Sequence, residues 1–274
     1  MLLRLLLVSG FVLSAADVVT QPFAGVTHTH RASRGLHVVS IDLQAPGIRF
    51  LLSGPGGTRE TVRQTTPDFL GSVGAQVAIN AHFFVPYPTE ESDVDVIGLA
   101  ASEGVVYSWF EQPAQSYALV AAAPALHVDR FNRASIIGDD WPGTVWTAVA
   151  GSAQIVTNGR VTVPAYAPVG ALTPGMYSNA RSWYAVETAR TVVGLSRDRR
   201  LLYLVTADRS DVASLAALLV HDFEVYDALN LDGGGSTTLV LENPATGEGE
   251  VVNSPPGGGP RRVASSLAVF ARRR

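Results

Sequence analysis

The stretch Asp227-Ala-Leu-Asn230-Leu-Asp232-Gly233-Gly234-Gly235-Ser236-Thr237-Thr238-Leu-Val-Leu241 gathers carboxylates, a carboxamide, consecutive glycines and hydroxyls between two apolar runs. A buried strand with a side-chain period of two carries Asn230 and Asp232 on one face and hands them to a loop whose main-chain amides no side chain shields. Such a loop approaches an anion closely. Asp232 suits nucleophilic attack or proton transfer, and the Gly233, Gly234 and Gly235 amides suit a developing negative charge. A lone Asp-Gly pair would read as a turn closed by the aspartate's own side chain. Three glycines in a row exceed what a turn requires. Gly-x-Ser-x-Gly is absent around Ser236, so a nucleophile elbow is not supported.

Composition narrows the chemistry further. The chain has no cysteine, and all 20 of its basic residues are arginine. Thiolate metal sites, cysteine nucleophiles, Schiff-base chemistry and the lysine of a nucleotide P-loop are excluded. Anion recognition falls to arginine and main-chain amides, with no metal or other cofactor expected. A net charge of −4, with one basic cluster at Arg272 to Arg274, argues against a nucleic-acid partner. With 274 residues, 47 % apolar and 16 % charged, the sequence reads as a compact globular body.

The elements that position these residues are mostly strands. Period-two alternation runs through His37 to Leu43, and Gln76 to Asn80 is a short apolar strand with a polar end. Asn158-Gly159 between two β-rich runs selects a type I′ hairpin, and a second hairpin is expected from Thr191–Leu195 to Leu201–Val205. Two helices are expected. Thr66 caps a short one with Pro67 at its first position, carrying Phe69, Leu70 and Val73 inward; Ser210 or Asp211 caps a longer one with Leu215, Leu218 and Leu219 buried. The expected class is α+β: a single domain with a mixed, largely antiparallel sheet and a few packed helices. The run from Met1 to Ala16 has one early arginine, an apolar stretch too short to span a bilayer comfortably, and small residues at Ser14 and Ala16. It reads as a signal peptide, which leaves 17–274 as the mature domain in a secreted or periplasmic location.

Several blocks then resemble the phosphodiester glycosidase family in order along the chain. Ala228–Leu239 looks like that family's most specific signature. Ala78-Ile-Asn80-Ala-His82-Phe-Phe84, Ala189-Arg190-Thr191-Val-Val-Gly194 and Pro260-Arg261-Arg262-Val-Ala264 are similar to three others. The likeness runs from about Gly25 to Phe270. It implies an exported hydrolase that cleaves the glycosidic bond of a sugar-1-phosphodiester and releases free sugar and a phosphomonoester, with the sugar phosphodiester or a surface glycan as partner. The leaving phosphate is weakly basic, so one carboxylate can serve where ordinary glycosidases use two. The resemblance makes Asp232 that carboxylate, with Asn230 and Asp208 beside it in the catalytic set. It assigns Arg190 and Arg261 to the phosphate as bidentate forks, and Asn80, Thr191, Ser236 and the three glycines to substrate contacts. Ala81 and His82 stand where the family usually has small residues, which narrows the pocket or adds an imidazole to it. After Asp208-Arg209 the glycine-containing stretch usual in the family is shortened to Ser210-Asp211. Two other readings remain open: a non-catalytic module of the same fold that binds or assembles surface polysaccharide, and a phosphodiesterase cutting P–O.

Other polar features point to structure. Glu90 to Asp95 lacks the ligand spacing of a calcium loop and reads as a solvated loop. His28-Thr-His30 lacks a third ligand by spacing and reads as an exposed strand. Asp139-Asp140 before Trp141-Pro142 reads as a turn. Any of Trp109, Trp141, Trp146 and Trp183 could stack on a sugar, although tryptophan is more often packing.

Overall fold

A computed structural model describes residues 16–110, 120, 123–166, 169–171, 176–177 and 184–274. Met1 to Ala15 of the expected leader and Trp183 lie outside the described residues. Two antiparallel sheets dominate. One has eight strands, in the spatial order Val18–Phe23, Val26–Arg31, Leu36–Asp42, Leu201–Ser210, Thr188–Leu195, Asp227–Asn230, Ala153–Thr157, Arg160–Val161. The other has five, in the order Gly249–Val251, Leu239–Glu242, Val77–Asn80, Ser266–Phe270, Arg49–Leu52.

These sheets share a core, because Ile41, Val193, Leu195, Leu204 and Leu229 of the first pack with Ile79, Leu239, Leu267 and Val269 of the second. Their outer faces are covered as well. Helix α1 (Thr66–Val73) lays Phe69 and Leu70 on Ala78, Val240 and Ala268, and helix α2 (Val212–Phe223) lays Leu215, Ala216 and Leu219 on the outer face of the larger sheet. Burial on both faces explains why the central strands read as continuous apolar runs (Val192-Val193, Leu202 to Val205) where a half-exposed strand would alternate. A further five-stranded antiparallel sheet, containing Ala100–Ser102, Thr147–Ala150 and Ala125–Val128, extends the same core with Ala100, Leu126 and Val149.

The expectation of largely antiparallel pairing holds, but the balance shifts. Strands form several sheets, parallel pairing among the described residues is confined to Ala165–Tyr166 with Met176–Tyr177, and only two α-helices of 8 and 12 residues accompany them there. The chain is richer in β than an even α+β division suggests. Both hairpins form as read: Asn158 and Gly159 take φ of 54° and 71°, the pair of left-handed residues a type I′ turn needs, and Val193 pairs Leu204 in the second. The α1 cap lies one residue earlier than expected. Thr65 accepts the Asp68 N–H at 3.2 Å, which leaves Thr66 buried and bonded to the Ser266 hydroxyl. Asp211 caps α2 by accepting the Ser214 N–H at 2.8 Å, and Leu218 is only partly buried.

Candidate active site

The polar loop crosses between the two large sheets. Asp227–Asn230 ends at Asn230, which is paired with Val192 on one side and Ala153 on the other, and further along the chain Leu239 joins the second sheet opposite Ile79. Residues 231–238 therefore bridge the layers where the strand Val77–Asn80 also ends. Asp232 N–H donates to the Ala81 carbonyl at 3.1 Å and Leu231 N–H to the Thr191 carbonyl at 2.9 Å.

Asn80, expected at the substrate, is instead the staple of this crossing. Its Nδ2 donates to the Asp232 carbonyl at 2.6 Å, and its Oδ1 accepts from the Thr191 hydroxyl at 2.9 Å and the Thr238 N–H at 3.0 Å. Both polar atoms of that side chain are engaged, at zero exposure. Thr191 is likewise fully buried, with its hydroxyl on Asn80 and Thr237, so neither residue lines the cavity.

A cavity of about 300 Å³ opens beside the loop. Its polar wall comes from Asp232, Asn230, Arg190, Arg261, Thr188 and the Gly233, Gly234 and Gly235 backbone; its apolar wall comes from Phe83, Phe84, Tyr87, Tyr184 and Leu231. The size is at the lower end for small-molecule sites. A Cβ at Gly233 would lie 2.8 Å from the Ala189 carbonyl oxygen, and Gly234 has φ of +58°, so the first two glycines are required by close approach and by backbone hand.

Asp232 is buried, with 11 % of its side chain exposed. Loss of solvation pushes its pKa up to about 6, against the Arg261 charge, a hydrogen bond from Ser236 and the Gly233 amide, all of which pull it down. Arg261 Nη2 stands 3.8 Å from Asp232 Oδ2, and its Nη1 donates to the Tyr87 hydroxyl at 2.7 Å. Arg190 is 4 % exposed. Its Nε donates to the Ser210 carbonyl at 3.0 Å and its Nη2 to that of Val186, while burial lowers its pKa to about 10. Asn230 donates from Nδ2 to the Ser152 hydroxyl at 2.9 Å, and Ser152 also accepts from the Tyr184 hydroxyl at 2.8 Å. Asn230 Oδ1 is buried with no hydrogen-bond partner among the described residues.

Three further expected residues lie elsewhere. Ser236 is fully buried behind the loop, on Asp232 and Arg261, and does not line the cavity. Asp208 is outside the lining; it accepts the Ser254 N–H at 3.0 Å and packs against Gly35, so it ties two loops together. His82 is a core residue at zero exposure, with Nδ1 on the Ser265 hydroxyl at 2.8 Å and Nε2 at 3.0 Å from the Leu99 carbonyl. Burial pushes its pKa down to about 4.

The neutral ring has a consequence for stability. Between pH 6.5 and 4 the unfolded chain protonates this histidine and the folded chain does not, so its contribution falls on acidification by about 1.4 kcal/mol per pH unit. Asp232, with its raised pKa, trends oppositely over part of that range. Urea unfolding of the Asp232→Asn protein at about pH 6.5 and 4.5 is expected to expose the histidine slope, and the additional His82→Gln change should reduce it.

None of Trp109, Trp141 and Trp146 lines the cavity. Glu91 and Asp95 pair with Arg59, and Asp93 accepts from Thr58 and Arg59. That run is therefore tethered to the neighbouring 58–59 turn. His28 and His30 are half-buried and stack with His37, at ring-centroid distances of 5.2 and 4.1 Å. This corrects the exposed-strand expectation, since the third imidazole comes from the adjacent strand. His28 Nε2 and His37 Nδ1 are hydrogen-bonded to each other at 3.0 Å, and no group of three or more His, Asp or Glu side chains is placed to hold a metal ion among the described residues.

The aromatic wall is what sequence reading missed. Phe83 and Phe84 lie within four residues of Asn80, in the Ala78 to Phe84 block quoted above, so their proximity is legible as a signal. Tyr87 sits in a proline-rich loop and Tyr184 far along the chain, and nothing local marks either.

Comparison with known proteins gives consistent findings. Residues 73–270 match the NAGPA family, described as phosphodiester glycosidase. The fold is similar to that of the catalytic domain of zebrafish N-acetylglucosamine-1-phosphodiester alpha-N-acetylglucosaminidase, auto-inhibited by its pro-peptide, with a TM-score of 0.61 at 17 % identity over 94 % of this chain and 83 % of that one. It is also similar to a hypothetical protein from Synechocystis (TM-score 0.56, 14 % identity, 93 % of this chain and 61 % of that one). A putative exported protein from Burkholderia pseudomallei is a third (TM-score 0.55, 16 % identity, 91 % and 76 %). Identities this low show the fold alone. A search of curated proteins finds no match.

Proposed function

The chain belongs to the phosphodiester glycosidase family, and we propose that it hydrolyses the bond between a sugar's anomeric carbon and a phosphodiester oxygen, releasing free sugar and a phosphomonoester. The observation that carries this reading is that buried Asp232, the one carboxylate among the described lining residues, shares a cavity of about 300 Å³ with Arg190, Arg261 and the Gly233 to Gly235 backbone. An ordinary glycosidase needs an acid to protonate an alkoxide leaving group; a phosphate monoester leaves without one.

With a pKa of about 6, Asp232 is mostly ionised at neutral pH yet still basic enough to take a proton from water. Water attacks the anomeric carbon and gives its proton to Asp232. The glycosidic C–O electrons pass to the phosphate, whose added charge meets Arg190, Arg261 and the glycine amides. Asn230 Oδ1, buried without a partner among the described residues, is suited to a hydroxyl donor of the sugar.

Turnover in heavy-oxygen water tests the reaction. Label is expected in the sugar and not in the phosphate. Label in the phosphate would mean P–O cleavage, and binding without turnover across a panel of sugar phosphodiesters would favour the polysaccharide-binding module.

Export is part of this reading. The apolar Met1 to Ala16 run supports it, and one structural neighbour is named a putative exported protein. N-terminal sequencing of exported material is expected to begin at or near Asp17; an intact Met1 would remove the signal peptide from the account.

A further inference from the structure

Ser236 was expected to touch substrate, yet it is fully buried and its hydroxyl faces only other members of the site. A hydroxyl has one proton and two acceptor lone pairs. Arg261 donates to Ser236 Oγ twice, from Nε at 3.0 Å and from Nη2. Arginine cannot accept, so both lone pairs are taken and the single proton has one destination, Asp232 Oδ2. The polarity of this chain is thereby determined by valence. Arg261 is itself steadied at its other end, where the guanidinium carbon lies 4.8 Å from the Tyr87 ring centroid and Nη1 bonds the Tyr87 hydroxyl. The Gly234–Ser236 turn holds the serine main chain, with Ser236 N–H donating to the Gly233 carbonyl at 3.2 Å.

We propose that Ser236 is the positioning residue of the site: it occupies Asp232 Oδ2, leaves Oδ1 as the oxygen that reacts, and ties the carboxylate to the Arg261 charge. Ser236 is not a nucleophile, because its lone pairs are engaged and its proton points at the carboxylate. Arg261 consequently has two duties on two edges, with its Nε and Nη2 side on Ser236 and the remaining N–H groups of Nη1 and Nη2 available to an anion. The hydrogen bond offsets part of the desolvation of Asp232 and keeps it ionised near neutrality.

This inference rests on the reading of Asp232 as the base, and the experiment separates the two. Protein carrying carboxyl-labelled aspartate is titrated by carbon NMR, with the Asp232 signal assigned by its loss in Asp232→Asn, and the acidic limb of kcat/KM is measured on the same samples. Ser236→Ala removes only an oxygen and is expected to fold. It should raise the Asp232 midpoint by about one pH unit, a tenfold change in proton affinity, and move the acidic limb by the same amount. Arg261→Gln should raise the midpoint in the otherwise unchanged protein, and by less when Ser236→Ala is already present. A midpoint unchanged in Ser236→Ala, or additive effects of the two substitutions, overturns the positioning role. If the NMR midpoint moves and the kinetic limb does not, the role of Ser236 stands and the assignment of Asp232 as the base fails.

Discussion

Asp232→Asn is expected to fold, to gain stability at neutral pH, and to lose roughly two to four orders of magnitude in kcat. The substitution keeps the shape and leaves an oxygen to accept from Ser236, and the main-chain bonds of Asp232 that cross between the sheets are unchanged. What disappears is a buried charge. Because the folded protein holds the Asp232 pKa at about 6, above the unfolded value, ionisation of this group opposes folding above that pH. Relief of that opposition is worth on the order of 1 to 3 kcal/mol. The gain should be full above pH 6 and vanish below about 4, where both states carry a protonated carboxyl. Urea unfolding at about pH 7.5 and 3.5 reads the stability arm and steady-state turnover the catalytic arm. A variant with near-parental turnover would remove Asp232 from the chemistry. The described residues offer no obvious substitute, because Asp208 holds a loop and Glu187 is exposed on Arg209.

Arg190→Lys and Arg261→Lys are expected to lower kcat/KM about ten- to a hundredfold on a sugar phosphodiester, and less on a neutral aryl glycoside of the same sugar. Arg190 holds the Ser210 and Val186 carbonyls while lining the cavity, a division of labour that needs a planar fork with several N–H groups. A lysine has one ammonium and cannot hold both carbonyls and an anion in those directions. Arg261→Lys also breaks the paired contact with Ser236, so it should depress both substrates, with the phosphodiester depressed further. The ratio of the two losses within one variant cancels effects of folding and concentration. Equal losses on both substrates for both variants would mean that the arginines shape the site without meeting the phosphate.

The features legible in the sequence share a physical character: they are settled by interactions within a few residues. Asn158-Gly159 is a type I′ turn because consecutive residues must take positive φ. Asp211 caps α2 through the amide three residues on. Asp232 reaches a glycine loop because a strand of period two ends there, so the carboxylate that lines the cavity is legible in the sequence. The remaining assignments depend on which distant segments the stacked sheets bring into register. Asn80 is a staple because Thr191, Asp232 and Thr238 arrive from the other side of the crossing, and its own neighbours in sequence carry no sign of that. His82 belongs to the core because Leu99, Ala150 and Ser265, all distant in sequence, close over it. Ser236 becomes a link between carboxylate and guanidinium only when Arg261 approaches from a distant segment, and Tyr184 and Asn230 are brought together on the Ser152 hydroxyl. Local backbone chemistry thus determined where the Asp232 carboxylate would be presented to the cavity. Which polar side chains face the cavity and which are spent holding the layers together was decided by tertiary packing, since a buried polar group must find its partners wherever the fold places them.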